Sequence, residues 1–169
     1  MKGITAIVYR SNTGFTARYA GLLARAAGIP AYDLAQWRDQ APRGSRVIAM
    51  GWLCAGRIKG LSSARGRYDV RAVCAVGMAQ LTPELEEKLR RDNHLGGLPL
   101  FYLRGGYRPD RIKGLYRAMM APMTAVITRR PPRTEEEAQT QKALIHGADW
   151  FSPAQLTPVQ TWLDAQRGG

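Results

Sequence analysis

The chain has 169 residues, enough for one well-buried core and too few for two ordinary domains. A hydrophobic fraction of 45% and a charged fraction of 22% exclude disorder and a fibrous repeat. The charge stands out: 25 Lys and Arg against 13 Asp and Glu give +12, which implies an acidic counterpart (anionic lipid, nucleic acid or an acidic protein) or else only Arg-rich codon usage.

Met1-Lys2-Gly3-Ile4 leads directly into an apolar run, Ile4 to Tyr9, without the long apolar stretch and cleavage site of a signal peptide. Cys54 and Cys74 form neither a CxxC nor a secreted disulfide framework. Both points set the expectation of a cytoplasmic protein, with both cysteines in the core. After Ile4 to Tyr9 comes a polar turn, and then Phe15, Tyr19, Leu22, Leu23 and Ala26 recur at helical spacing. Gly28-Ile29-Pro30 closes that helix, and Ala31 to Leu34 reads as a short second strand.

Arg46 to Gly51 and Val70 to Gly77 are near-continuous apolar runs ending in Gly, as buried parallel strands do, and Pro99 to Leu103 is a third. Between the last two, Thr82 can cap, Pro83 suits the first helical position and Glu84 and Glu86 favour a helix N-terminus. That helix is expected to run to about Asn93, with Gly96-Gly97 ending it. Strands alternating with helices predict a parallel sheet covered on both faces. Ligand loops then belong at the carboxyl ends of the strands, beginning at Ser11, Gly51, Gly77 and Arg104.

Beyond Leu103 the pattern changes. Arg104 to Arg133 holds eight basic residues and one acid, Asp110, and so supplies +7 of the +12. Its middle, Gly114 to Thr128, carries only Arg117 as a charge and includes Met119, Met120 and Met123. This stretch is short of the roughly 20 apolar residues of a membrane span, and Pro122 would kink it. It reads either as an apolar patch for a surface or as a solvated face with a folded-back helix. Glu135 to Ile145 follows as a helix with Thr134 as cap and Gly147 as stop. Ser152-Pro153 and Thr157-Pro158 are two more starts, the last helix burying Val159, Trp162 and Leu163. One echo, Arg-Ile-Lys-Gly-Leu, occurs at 57–61 and again at 111–115, but its flanks do not match and it reads as chance.

Chemistry concentrates in Ser11, Asn12, Thr13, Gly14, Phe15 and Thr16. A phosphate monoester needs many donors at once, and backbone N–H groups at a helix N-terminus with small hydroxyls beside them supply these. The alternative is a Ser/Thr-rich helix cap. Neither Gly-x-x-x-x-Gly-Lys nor Gly-x-Gly-x-x-Gly occurs. No metal spacing, catalytic triad or carboxylate pair is readable, and His94 and His146 stand alone.

Ser-Asn-Thr-Gly-Phe-Thr directly after the first strand resembles the flavodoxin phosphate loop, Thr/Ser-x-Thr-Gly-x-Thr. The wider pattern is similar to the short flavodoxin-domain proteins related to bacterial quinone-dependent protoporphyrinogen dehydrogenases. It rests on Phe101 to Tyr107, the basic Met-rich segment and Asp149-Trp150-Phe151 to Trp162-Leu163.

That resemblance implies one domain over 1–169 with a flavodoxin-like three-layer sandwich. Its five-stranded parallel sheet would have helices on both faces and an insertion after the fifth strand, about 104–133. It implies FMN as cofactor, the ring lying between Gly51-Trp52-Leu53-Cys54 and Gly77-Met78-Ala79. Trp52 would then stack on the ring or else cap the core edge, and Met78 would border the ring or fill the core.

By the same resemblance the chain passes electrons from a small-molecule substrate, protoporphyrinogen IX, to a quinone or other acceptor. The insertion would face the membrane's inner surface or the porphyrin. Two alternatives remain: a non-catalytic FMN electron carrier for an acidic partner protein, and, ranked last, a nucleic-acid-binding α/β domain.

Overall fold

Each long apolar run becomes a strand whose successive side chains fall on opposite sides of one sheet. In the computed structural model, which describes residues 3–112 and 114–168, Ile7, Ile48 and Cys74 face one layer of helices. Their neighbours Val8, Val47, Ala49, Val73 and Ala75 face the other. All eight are buried, which is why these strands read as unbroken apolar runs and not as alternation. Met1 and Lys2, read above as the lead-in to the first strand, and Lys113, counted among the basic residues, lie outside the described residues.

Five strands pair in parallel: β1 (Ala6–Arg10), β2 (Ala31–Asp33), β3 (Arg46–Cys54), β5 (Asp69–Gly77) and β6 (Leu100–Arg104). Their order is β2-β1-β3-β5-β6. Leaving aside β4 (Arg57–Ile58), a short antiparallel partner of β3, this is the 2-1-3-4-5 order of the flavodoxin-like doubly wound fold. Such a sheet reverses direction of winding beside β1. The crevice at the carboxyl ends of β1 and β3 is therefore the expected ligand position.

One helical layer is α1 (Phe15–Ala27) and α6 (Thr157–Arg167). They bury Phe15, Tyr19, Ala20, Leu23, Val159 and Leu163 against Ile7, Ile48, Met50 and Cys74. Each large aliphatic side chain so buried contributes about 1.5–3 kcal/mol relative to exposure. On the opposite face α2 (Leu61–Arg65) and the turn after α3 (Pro83–Asp92) supply Leu61, Ala64 and Leu95. The expected caps are present: the hydroxyl of Thr82 accepts from the amide of Leu85 (3.2 Å), and that of Thr134 accepts from Glu137 (3.1 Å).

Three expectations need correcting. First, β3 does not stop at Gly51. It continues through Trp52, Leu53 and Cys54 because β4 folds back on it, pairing Leu53 with Ile58 and Cys54 with Arg57. Gly51, Trp52, Leu53 and Cys54 are therefore strand, not loop. Second, Cys74 is in the core as expected, but Cys54 is half-buried at the strand end. Third, the insertion is longer than 104–133. The chain leaves at β7 (Gly106–Tyr107) and returns at β8 (Ala148–Asp149), and these two pair antiparallel as a neck. Between them lie a single 3-10 turn (Pro109–Arg111), α4 (Leu115–Thr128) and α5 (Glu135–His146). Helix α4 runs on past Pro122.

The two copies of Arg-Ile-Lys-Gly-Leu differ in form, Arg57 and Ile58 lying in a strand and Arg111 in a 3-10 turn, and share only their ends. Gly60 (φ 92) and Gly114 (φ 61) each sit at positive φ directly before a helix that begins on Leu, and Ile58 and Ile112 are both buried. Among the described residues no helix is long and apolar enough to cross a membrane.

Candidate functional site

The loop after β1 holds its backbone donors open. Gly14 caps α1 at φ 107, a conformation that L side chains rarely adopt, and so turns the chain sharply into the helix. Among the described residues no hydrogen bond within the protein uses the N–H of Asn12, Thr13, Gly14, Phe15 or Thr16. The Ser11 hydroxyl accepts from the amide of Ala17 at 3.4 Å, which bends the loop over the helix start. Five free amides at the positive end of a 13-residue helix form a donor set suited to a phosphate dianion.

The same loop is one wall of a cavity of about 320 Å³, within the size range of small-ligand pockets. Ser11, Asn12, Thr13, Phe15 and Thr16 line one end. Trp52, Leu53, Cys54 and Ala55 form a second wall, and Val76, Gly77 and Met78 the floor. Gly106, Tyr107, Ile112, Tyr116, Met119, Met120 and Met123 close it from the insertion. The structure therefore brings together ten of the thirteen residues singled out in the sequence. Three are not on this lining. Gly14 sits behind the loop as its cap, and Ala79 lines a neighbouring chamber. Gly51 is buried within the sheet, where an added Cβ would run into the Lys59 carbonyl oxygen.

Trp52 presents its indole edge-to-face to Tyr116 of α4, ring centres 4.9 Å apart and planes at 80°. It is thus a wall of the cavity and a contact for the insertion at once. The hairpin bearing that wall is fastened by Asn93, buried at the end of α3. Its Oδ1 accepts from Ile58 N–H (2.8 Å), and its Nδ2 donates to the carbonyls of Gly56 (2.8 Å) and Leu89 (2.9 Å).

At the floor, Gly77 leaves room for Tyr102 and Leu53; an added Cβ would strike both. The Tyr102 hydroxyl donates to the Ala79 carbonyl (2.8 Å), and burial pushes its pKa up to about 12. Phe15 packs against Gly105 and Gly106, so the loop after β1 and the start of the insertion are in direct contact.

A second chamber, about 420 Å³, adjoins the first and shares Met78, Met120 and Met123 with it. Arg104 is its cation, and Glu135 and Glu136 line it as well. The guanidinium lies 4.0 Å above the Trp150 ring, and Nε donates to the Met78 carbonyl at 2.8 Å. The backbone of Arg104 is locked as well, accepting from Tyr19 Oη (2.6 Å) and donating to Gln155 Oε1 (2.6 Å).

No protein-family model and no curated protein matches the sequence. Among solved structures, the chain is similar to a protein from Bacteroides uniformis described provisionally as a flavoprotein. The two share 16% identity over 61% of this chain and 90% of that one, at a TM-score of 0.40. That likeness is too loose to carry an argument, and the fold stands on strand order and burial alone.

Asn93, Tyr107, Ile112 and Tyr116 were not legible as site residues. Ile112 and Tyr116 sit on either side of the Gly114 that opens α4, and no local motif marked them. Asn93 gave no signal beyond its place at a helix end.

Proposed function

We propose that the chain is an FMN-dependent oxidoreductase. The observation that carries this reading is the continuity of the site: an open cradle of five amides runs without a break into a chamber walled by Trp52, Leu53, Cys54, Val76 and Met78. A phosphate monoester at one end and a flat aromatic system at the other are what FMN presents. When bound, FMN would supply the electron-accepting and electron-donating ring that these side chains lack.

The protein's own part follows from the walls. Ser11, Thr13 and Thr16, with the amides of 12–16, would hold the phosphate. Trp52 and Met78 would flank the ring, and the α4 side chains Tyr116, Met119 and Met120 would exclude water from it. The second chamber opens on the same methionines and would admit the reacting partner, with Arg104 and Trp150 presenting a cation over an aromatic shelf.

For the substrate, the resemblance to protoporphyrinogen dehydrogenases favours protoporphyrinogen IX as donor and a quinone as acceptor. Helix α4 also exposes Leu115, Met119, Met123 and Val126 beside Arg117, Arg129 and Arg130, a combination that suits an anionic membrane surface. Anaerobic assay of the FMN-loaded protein with protoporphyrinogen IX and a soluble quinone tests the activity: porphyrin fluorescence should rise with quinone consumption. No quinone-linked rise, with FMN bound, would leave the electron-carrier reading, in which turnover needs an added reductase.

A further inference from the structure

Arg111 stands over the cap of the first helix although it belongs to the insertion. A Cβ added at Gly14 would lie 3.8 Å from its Nη1. Two local features hold it there. Pro109–Arg111 forms a 3-10 turn, and the next residue, Ile112, is buried against the cavity with Tyr107 and Leu144.

The acid that would ordinarily neutralise Arg111 is already engaged. Asp110 accepts from Arg108 Nε (3.0 Å) and Nη2 (2.8 Å), and among the described residues the Arg111 side chain has neither a hydrogen bond nor an ion pair. The other cation at the start of α1, Arg18, is turned away. It sits 3.5 Å from the Asp149 carboxylate and 3.8 Å over the Phe151 ring.

Arg111 thus reaches Asp110 only through space, and a loop with five unused amides lies beneath its guanidinium. We propose that Arg111 is the cation that completes the phosphate cradle, so that a bound phosphate pins the insertion to the sheet. The inference rests on the FMN reading above and goes beyond it. The flavodoxin-type motif in the first loop needs no charged residue; here one is delivered from a distant segment, and it sits one residue before the buried anchor of that segment. A phosphate carries about −1.5 to −2 charges, and a guanidinium can donate two N–H groups to it. Cofactor binding and closure of α4 over the cavity would thereby be one linked event.

The test compares FMN with riboflavin, which has the ring and lacks the phosphate, using tryptophan quenching on wild type, Arg111→Gln and Arg111→Lys. In Arg111→Gln the FMN Kd should rise about tenfold at low salt, riboflavin binding should stay unchanged and the salt dependence of FMN binding should flatten. Arg111→Lys should recover part of the loss. Arg111 is exposed, so an unchanged circular dichroism spectrum and Tm are expected and establish that the variants fold. FMN should also slow proteolysis within 108–147 in wild type but not in Arg111→Gln. Equal FMN affinity in wild type and Arg111→Gln would overturn the proposal, as would an equal loss of FMN and riboflavin. If neither ligand binds wild type, the FMN reading itself fails, and this inference with it.

Discussion

The sheet and the insertion solve the burial problem differently. Strands β1, β3 and β5 place side chains such as Ile7, Val8, Ile48 and Val73 at zero exposure, with helices on both faces. Helix α4, 14 residues long, has no buried residue, and Leu115 at its start is 75% exposed. The insertion is held by a small cluster around Tyr107, Ile112 and Leu144 and by the β7–β8 neck. One region is thus stabilised by large cores on both faces of the sheet, and the other by one small cluster. Tyr116 and Met120 pack on that small cluster and line the cavity as well.

That contrast can be broken most sharply in the core. Ile48→Ala should lower the free energy of unfolding by about 3–4 kcal/mol in denaturant titration, in the range for large-to-small changes at fully buried sites. Leu144→Ala should cost less than half as much globally, and its effect should be visible as faster hydrogen exchange confined to 105–149. Equal global losses would mean that the insertion is part of the core after all.

Next in size is Asn93→Ala, which strands the Ile58 amide and the Gly56 carbonyl, while the Leu89 carbonyl keeps the backbone N–H of residue 93. A loss of about 1–3 kcal/mol is expected, together with weaker binding at the Trp52 wall that its hairpin carries. Trp52→Ala should leave stability nearly unchanged while raising the FMN Kd about tenfold, measured by ultrafiltration since the main fluorophore of the site is removed. Lost stability without lost binding would make Trp52 a cap on the core edge.

A further effect appears only at alkaline pH. Burial pushes the Cys74 thiol from 9.0 up to about 12, and the Tyr102 phenol from 10.0 up to about 12. Both stay protonated in the native state to higher pH than in the unfolded chain, so the unfolded state loses its protons first. Stability should be flat with respect to these groups below about pH 9 and should fall as pH rises toward 12. A single group contributes at most about 1.4 kcal/mol per pH unit. Cys74→Ala should shallow that decline in denaturant titrations between pH 9 and 11; an unchanged slope would place the thiol within reach of solvent.

How much of this was legible depends on how local the cause is. Strand and helix positions follow from short-range patterning: the apolar runs of β3 and β5, Thr82 before Pro83, Thr134 before three glutamates. The loop from Ser11 to Thr16 was equally legible, since its amides are freed by its own Gly14 and its own helix. What escaped depends on contacts between distant segments. The extension of β3 through Cys54 needs β4 to fold back on it, and the end of the insertion needs Gly106 to find Asp149. Tyr116 reaches Trp52 only because Gly114 starts α4 where it does. No local pattern encodes those meetings.

If the amide cradle and the aromatic chamber form one flavin site, the protein should retain FMN. The most direct measurement is the visible absorption spectrum of the purified protein after incubation with FMN and passage through a desalting column. Close to one retained FMN per chain and quenched tryptophan emission are expected. A colourless eluate with unquenched emission would contradict a flavin site.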